Sequence, residues 1–303
     1  MKSPLQTRII ETLEREGPLL GKELCARQPA EPHLRMWQAC FTAMDIQISH
    51  FSRYYLRYDI TRDDMVRLSP SILRDFLSFT LFSLPGQREA VIERQVLLSN
   101  YHREVSLAKI RIARTILIDI LDRIPDAQHA KICAFIAGDL AYFLGHSEPR
   151  EVRQSGEMVR GSDIDIIIVH DRLDDEYVEL IDREMMQAKN FYLRHPAHRQ
   201  EVDYICKPVE RMFSQFSYSD INQKIASKIV YESLFLAGSI ALYGAIKDEM
   251  EASGARGLIE QDFAYGLDDR KGAMRALLKA DPDTIDENTE SLFFFSQERV
   301  EFT

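Results

Sequence analysis

The stretch Arg160-Gly161-Ser162-Asp163-Ile164-Asp165-Ile166-Ile167-Ile168-Val169 predicts a buried β-strand with an acidic start. Side chains of a strand alternate between the two faces of a sheet, so Asp163 and Asp165 are expected on one face. The alternating isoleucines, Ile164, Ile166 and Ile168, then point to the opposite face and into a core. A run of β-branched residues is typical of such a strand. Two carboxylates about 6–7 Å apart along one strand can share hard divalent cations through their oxygen atoms.

A second acidic strand is predicted from Glu201 to Cys206, with Asp203 among alternating apolar residues. If the two strands pair, Asp163, Asp165 and Asp203 meet on one face of the sheet. In front of the first strand, Gly161-Ser162 predicts a tight turn that allows another backbone or a phosphate to come close.

An isolated Asp-x-Asp also occurs in calcium loops, in surface turns and in sugar transferases. In sugar transferases the motif ends a hydrophobic strand, whereas here it begins one. Calcium loops carry oxygen ligands at every other position and have no isoleucine run after them. The pattern in this chain therefore favours a buried strand whose carboxylates can share divalent cations.

The Gly-Ser-Asp-x-Asp strand, together with the later strand of Asp203, resembles the DNA polymerase β-like nucleotidyltransferase superfamily in its minimal form. The resemblance covers residues 132–243 and implies an α+β core, a small mixed sheet with flanking helices. It implies catalytic and metal-binding roles for Asp163, Asp165 and Asp203, with Mg²⁺ (or Mn²⁺) as the cofactor. A nucleoside triphosphate, expected to be ATP, would donate its nucleotidyl group to an acceptor hydroxyl of RNA, a protein or a small molecule, and pyrophosphate would leave.

In the family, a strand-glycine-helix turn holds the triphosphate, because a helix N-terminus attracts anions. Here the corresponding strand is predicted from Lys131 to Ala137, with the turn at Gly138 and a short helix ending near Gly145. Substrate contacts are accordingly expected from Gly138, Gly161 and Ser162. Asp139 departs from the Ser or Gly of the family: it would repel a triphosphate unless a cation intervened, or it simply caps the helix.

Two lysines form the second candidate for phosphate contacts. Lys224 and Lys228 are four residues apart on a helix predicted from Asn222 to Leu236, so they share one face of it. In relatives a lysine on such a helix often meets the nucleotide phosphates. The alternative is an ordinary exposed helix face.

The N-terminal segment resembles a winged helix-turn-helix. Helices are predicted at 4–16, 21–27 and 33–44, followed by an extended stretch to residue 59 with a strand at 53–58. The polar residues expected to touch a nucleic-acid backbone are His33, Arg35, Gln38, Arg53 and Arg57. Residues 1–88 carry 12 Lys and Arg against 10 Asp and Glu, a weak charge of +2. Packing on a neighbour or dimerisation is therefore the open alternative.

The remaining segments are mostly helical. Helices are predicted at 70–83 and at 258–279, and a helix-turn-strand at 236–244. The stretch 88–123 is predicted to be helical throughout, either as one helix or as two with a break near Ser99-Asn100. The apolar Ser291–Phe295 in the acidic tail is expected to dock on this chain or on a protein partner. Along the chain this predicts a winged-helix-like domain with a trailing helix (1–87), connecting helices (88–125), the nucleotidyltransferase core (126–246) and a helical C-terminal region with tail (247–303).

The composition describes an ordinary water-soluble protein, with 45% apolar and 28% charged residues among 303. The net charge of −10 argues against nonspecific coating of nucleic acids. The four cysteines lack the spacing of a zinc site or a disulfide framework, which favours reduced thiols and a cytoplasmic location. The longest apolar run, 229–246, contains Glu232 and Gly238, so no membrane association is expected.

Two functions follow from these patterns. The first is a metal-dependent nucleotidyltransferase. The alternative is a nucleic-acid-binding regulator whose transferase-like domain is catalytically silent. The three carboxylates favour the enzyme, and Asp139 favours the regulator.

Overall fold

The computed structural model describes residues 2–59, 65–152, 155–284 and 286–295 and shows a mixed α and β chain, as predicted. The helices are α1 (Pro4–Glu16), α2 (Gly21–Arg27), α3 (His33–Thr42), α4 (Ile72–Arg74), α5 (Arg88–Leu121), α6 (Asp126–His129), α7 (Asp175–Arg194), α8 (Val209–Gln215), α9 (Ile221–Glu232), α10 (Ile240–Ala252), α11 (Ala255–Leu277) and α12 (Glu287–Phe293). The strands are β1 (Leu19–Leu20), β2 (Gln47–His50), β3 (Tyr55–Asp59), β4 (Met65–Ser69), β5 (Thr80–Ser83), β6 (Ile132–Ile136), β7 (Pro149–Glu151), β8 (Met158–Arg160), β9 (Ile164–His170), β10 (Val202–Pro208) and β11 (Leu234–Gly238).

The chain divides into two compact units. Unit one contains Met1–Arg57, Val66–Tyr101 and Phe263–Thr303, and unit two contains Tyr58–Met65 and His102–Asp262. The core predicted at 126–246 lies within unit two. Residues 1–87 lie in unit one except for 58–65, and unit one also holds the C-terminal segment.

Unit one is built around a three-stranded sheet in the order β1-β5-β2, with antiparallel pairs. The helix predicted at 70–83 is wrong in its second half. Helical structure stops at Phe79, after a π-helical turn from Asp75, and Thr80–Ser83 becomes the central strand β5. The strand wins because all four of its residues are buried between β1 and β2, a long-range effect that overrides local helical pattern. The strand predicted at 53–58 appears as β3. It pairs with β4 in a separate two-stranded sheet and not with the three-stranded sheet.

The apolar tail docks in the core of unit one, which is one of its two predicted outcomes. Phe293 and Phe295 are each only 3% exposed. The ring of Phe293 lies 6.0 Å from that of Trp37, edge to face, and Trp37 stacks on Phe41 at 4.8 Å. The C-terminal segment of the chain is therefore part of the same core as the N-terminal helices.

Unit two is built around a four-stranded mixed sheet in the order β10-β9-β6-β11. β9 and β10 are parallel, and α7 supplies the crossover that parallel strands require. As predicted, Ile164, Ile166 and Ile168 are buried; they pack in a cluster that includes Leu117 of α5 and Met185 of α7. Asp165 lies on the opposite face of β9.

Two further local predictions in unit two differ from the structure. The helix expected after Gly138 is only a 3₁₀ turn, Gly138–Leu140. Residues 234–252 form a strand and then a helix, because Gly238 (φ +85°) lies against the carbonyl of Ile132 and Ser239 caps α10 through the amide of Leu242. α5 is a single helix from Arg88 to Leu121, which is one of the two alternatives predicted for this stretch. Within the ranges that the structure describes, no helix is long and apolar enough to cross a membrane.

Candidate active site

The acidic pair Asp165 and Asp203 lies on neighbouring strands of the unit-two sheet. The two residues are direct register partners in the parallel β9–β10 pair. Neighbouring strands are about 4.8 Å apart, and partnered residues point to the same face. Asp163 precedes Asp165 by two residues and is half exposed. The three predicted carboxylates, Asp163, Asp165 and Asp203, thus lie together on one face of the sheet. We call this position the acidic edge.

A fourth carboxylate, that of Glu201, joins this edge and was missed from the sequence. Glu201 stands two residues before Asp203, and its carbonyl accepts a hydrogen bond of 3.0 Å from the amide of Ile164. The signal was present, because Glu201-x-Asp203 repeats the spacing of Asp163-x-Asp165 on the neighbouring strand.

Arg150, on the short strand β7, balances part of this negative charge. Its Nη2 lies 2.5 Å from Oε2 of Glu201 and 4.0 Å from Oδ2 of Asp163, and its Nε donates to the carbonyl of Gly161 at 2.8 Å. Burial raises the pKa of Glu201 and the charge of Arg150 opposes that rise.

A second cation meets the edge at Asp203. Lys189 of α7 forms an ion pair and a hydrogen bond with Oδ1 of Asp203. No sequence pattern distinguishes Lys189 from the other charged residues of α7. Its role follows only from the packing of the crossover helix beside β10.

Asp165 is the carboxylate most strongly affected by its surroundings. Burial among the protein atoms around it, followed by the charges of Asp163 and Asp203, raises the pKa of Asp165 well above its usual value. Its side chain still reaches solvent, because it opens into a cleft on one side. A carboxylate in this position is stabilised in its charged form by a nearby cation.

The cleft beside Asp165 has a volume of about 280 Å³. Four of the predicted site residues, Gly138, Asp165, Asp203 and Lys228, lie in its wall. The lining residues are Ala137, Gly138, Asp165, Ile166, Ile167, Asp203, Tyr204, Ile205, Ile225, Lys228, Ile229 and Glu232. The cleft therefore combines carboxylates and a lysine with an apolar wall from α9 and β10.

Gly138 forms the turn after β6 in a left-handed conformation, with φ of +70°. Its amide does not face an open anion site, because it donates to Oε1 of Glu232 at 2.9 Å. Lys228 contacts the same oxygen at 2.8 Å, and the Glu232 side chain is only 1% exposed. Burial raises the pKa of Glu232, whereas Lys228 and the Gly138 amide lower it. An internal carboxylate thus occupies the turn where the family resemblance places a phosphate.

Gly161 and Ser162 lie next to the acidic edge, but they contact His146 and not the cleft. A Cβ on Gly161 (φ +67°) would lie 1.7 Å from the carbonyl oxygen of His146. Ser162 is buried, and its Oγ accepts from the amide of His146 at 3.2 Å. These two residues hold the segment before β9 and thereby position Asp163; neither lines the cleft.

Lys224 is placed apart from Lys228. Its Nζ lies 3.3 Å from Oδ2 of Asp262 and 5.2 Å from the ring centre of Tyr218. Lys224 does not line the cleft, so of the predicted lysine pair only Lys228 is brought to the carboxylates.

Lys109 of α5 connects the two segments that carry the carboxylates. Its Nζ donates to the carbonyl of Arg160 at 2.7 Å and to the side chain of Gln200. Lys109 is 4% exposed, and burial lowers its pKa to about 8. Because Arg160 and Gln200 lead into β9 and β10, Lys109 keeps the two acidic strand ends together.

The predicted nucleic-acid contacts of unit one are largely turned toward the C-terminal segment of the same unit. Arg35 pairs with Asp283, and Gln38 donates to the carbonyls of Leu277 and Ala280 at 2.7 and 2.8 Å. The guanidinium of Arg57 lies 4.4 Å from the ring centre of Phe295. Arg53 is exposed, and burial lowers the pKa of His33.

The donor chemistry of the acidic edge fits a hard divalent cation, because carboxylate oxygen atoms are the ligands that Mg²⁺ prefers. Across the part of the chain that the structure describes, however, no group of three His, Cys, Asp or Glu side chains is arranged to hold a metal ion. Arg150 and Lys189 partner these carboxylates. Metal binding would therefore require these cations, Lys189 above all, to move aside.

Comparison with models of known protein families found no match, and comparison with curated proteins found none.

Proposed function

We propose that this protein is a metal-dependent nucleotidyltransferase that moves a nucleotidyl group from a nucleoside triphosphate, expected to be ATP, to an acceptor hydroxyl. The observation that carries the proposal is the register pairing of Asp165 with Asp203 at a cleft that also contains Gly138 and Lys228. Two parallel strands hold the carboxylates side by side, which is the arrangement that phosphoryl chemistry with paired ions needs.

We further infer that unit two has the core of a polymerase β-like nucleotidyltransferase. The mixed sheet β10-β9-β6-β11, with the acidic residues at the start of β9 and on β10, supports this assignment. Unit one supports a winged-helix-like arrangement, since α1, β1, α2, α3 and β2 follow in that order and β1 and β2 share the strand β5. β3 and β4 come between β2 and β5 in the chain.

The side chains that line the cleft, and Asp163 beside it, have separate tasks in the proposed reaction. Asp163, Asp165 and Asp203 would hold Mg²⁺ (or Mn²⁺), which when bound neutralises phosphate charge and favours attack by the acceptor oxygen. Lys228, which lies on α9, would offer a positive charge to the phosphates. Ile225 and Ile229 supply an apolar wall for the sugar or the base. The cleft volume of about 280 Å³ is just below the range for small-molecule sites, roughly 300–1,000 Å³.

A specific observation favours the catalytically silent regulator as the second candidate. The amide of Gly138 is occupied by Glu232, and Asp139 lies in the same turn. Two carboxylates beside a phosphate site oppose the binding of a triphosphate. The enzyme is the better-supported candidate because burial and the charges of Asp163 and Asp203 raise the pKa of Asp165, and a bound cation would relieve this crowding of carboxylates.

Incubation with each of the four labelled nucleoside triphosphates, Mg²⁺ or Mn²⁺, total RNA and cell lysate tests the proposal. Transfer of label should fall roughly a hundred-fold or more in Asp165→Asn and in Asp203→Asn, because each loses a ligand charge for the metal. Asp248→Asn is the matched control, since Asp248 is an exposed aspartate of unit two. Undiminished transfer in both variants would rule out the paired-carboxylate mechanism, and absence of transfer from every nucleotide would favour the regulator.

A further inference from the structure

The C-terminal end of α7 and the turn after it form a basic and aromatic surface, which we call the 189–199 patch. The sequence Lys189-Asn-Phe-Tyr-Leu-Arg194-His-Pro-Ala-His-Arg199 contains three Lys or Arg, two His and no acidic residue. The whole chain carries a net charge of −10. A run of this composition is therefore a local positive exception in an acidic protein.

Four rings of the patch lie together: those of Phe191, Tyr192, His195 and His198. The ring centres of Phe191 and His195 are 4.9 Å apart, those of Tyr192 and His198 are 4.8 Å apart, and the two histidines are 5.0 Å apart. Phe191 is 49% exposed. The rings thus form a continuous aromatic surface that solvent reaches.

The patch borders the candidate active site directly. Its first residue, Lys189, pairs with Asp203, and its last residue, Arg199, accepts a hydrogen bond of 2.8 Å on its carbonyl from the amide of Arg160. Arg160 leads into the segment of Asp163. A ligand that lies across the patch therefore reaches both acidic strand ends.

We propose that the 189–199 patch binds the acceptor of the reaction and that this acceptor is a single-stranded nucleic acid. The proposal rests on the proposed nucleotidyl transfer and adds the class of its second substrate. Nucleobases stack on exposed aromatic rings with little sequence preference, and neighbouring cations neutralise the phosphates. A protein partner would use the apolar face of Phe191 without needing the arginines.

The acidic groups nearest to the patch set its charge. Glu157 lies 3.6 Å from Arg199. Burial, followed by the charge of Asp119, raises the pKa of Tyr192. Arg194 forms the outer part of the patch and is exposed. Because Arg199 is partly neutralised, Arg194 carries most of the attraction for phosphate.

Binding of a fluorescent ten-nucleotide oligo(A) RNA, followed by anisotropy at low salt without nucleotide or metal, tests this surface independently of catalysis. Phe191→Ala should weaken binding roughly five-fold or more, the usual effect of losing one stacked base. Arg194→Ala should reduce the slope of log K against log salt by about 0.7. Tyr265→Ala, an exposed aromatic at 61%, and Arg183→Ala, on the same helix, are the matched controls and should bind as the unaltered protein does.

Three outcomes would overturn the proposal: no RNA binding by the unaltered protein, unchanged binding in Phe191→Ala, or displacement of the RNA by polyglutamate as readily as by unlabelled RNA. The proposed function can fail separately. RNA binding that depends on Phe191 supports the patch even if no label is transferred. Transfer to a small molecule or protein without RNA binding supports the reaction and refutes the patch.

Discussion

Glu232 is the residue that most directly controls what the cleft can bind. Its carboxylate accepts from the Gly138 amide and pairs with Lys228, the two groups expected to meet phosphates. A triphosphate must either displace this carboxylate or bind beside it. Which of these happens decides between the enzyme and the silent regulator.

We expect Glu232→Gln to tighten the binding of a non-hydrolysable nucleoside triphosphate by roughly ten-fold. The glutamine keeps the size and an acceptor oxygen for Gly138, while the loss of one negative charge within about 5 Å of the phosphates is worth on the order of 1–3 kcal/mol. Calorimetric titration with Mg²⁺ present measures the change. Glu249→Gln, at an exposed position of α10, is the control. Weaker binding in Glu232→Gln would mean that Glu232 orients Lys228 for the substrate.

At the scale of elements, a buried ion network joins three parts of unit one. Asp75, in the helical turn before β5, accepts from His50 of β2 at 2.7 Å and from Tyr54 at 2.8 Å, and it pairs with Arg270 of α11 at 2.7 Å. Burial alone would raise the pKa of Asp75, but the hydrogen bond from His50 and the charge of Arg270 outweigh it, so the pKa lies below its usual value. The charged form is therefore the one that unit one stabilises.

A carboxyl group whose pKa is lowered by folding stabilises the folded state at pH values above its pKa in the unfolded chain, about 3.9. This contribution is lost as the pH falls through the pKa of the folded state. Unit one should accordingly lose stability in acid. Asp75→Asn should already be destabilised at pH 7 by about 3–5 kcal/mol, since Arg270 is left buried without its partner, and it should lose less on acidification. Urea unfolding followed by Trp37 fluorescence reports on unit one, because the chain has one tryptophan. Asp268→Asn, an exposed aspartate on α11, should behave as the unaltered protein at both pH values.

At the scale of the whole molecule, the two ends of the described chain share one core. The N-terminal helices and the segment around Phe293 belong to the same cluster of buried residues. The face of α3 with Arg35 and Gln38 contacts the residues between Leu277 and Asp283, so its side chains are engaged within unit one. This contact favours a packing role for this face of α3.

Phe293→Ala should lower the unfolding free energy of unit one by about 3–5 kcal/mol, as for other buried phenylalanines, and should change the near-ultraviolet signal of Trp37. The neighbouring Phe294 is only partly buried, so Phe294→Ala should cost less. Sedimentation shows whether the tail docks in its own chain. If the effect of Phe293→Ala depended on protein concentration, the tail would belong to a partner's core and the intramolecular contact would be wrong.

The local sequence determined those features whose physical cause is local. The alternation of Asp and Ile predicted β9 and its two faces, and the same period predicted β10, because a strand places every second side chain on one face. The bounds of α1 were also predictable, because residues next to each end of the helix determine where it begins and ends. Ser3 caps its first turn, with Gln6 completing a capping box, and Gly17 ends it in a left-handed conformation.

Only the tertiary structure decided which cations and carboxylates meet the acidic edge and where the chain ends pack. The Gly138–Glu232 hydrogen bond joins residues 94 positions apart, and the Lys109–Gln200 hydrogen bond spans 91 positions. Likewise, Thr80–Ser83 became a strand only because β1 and β2 flank it. Such contacts depend on how separate elements pack, and neither hydrophobic period nor capping residues encode that choice. The sequence by itself therefore determined the acidic strands, and the packing of distant elements determined what surrounds them.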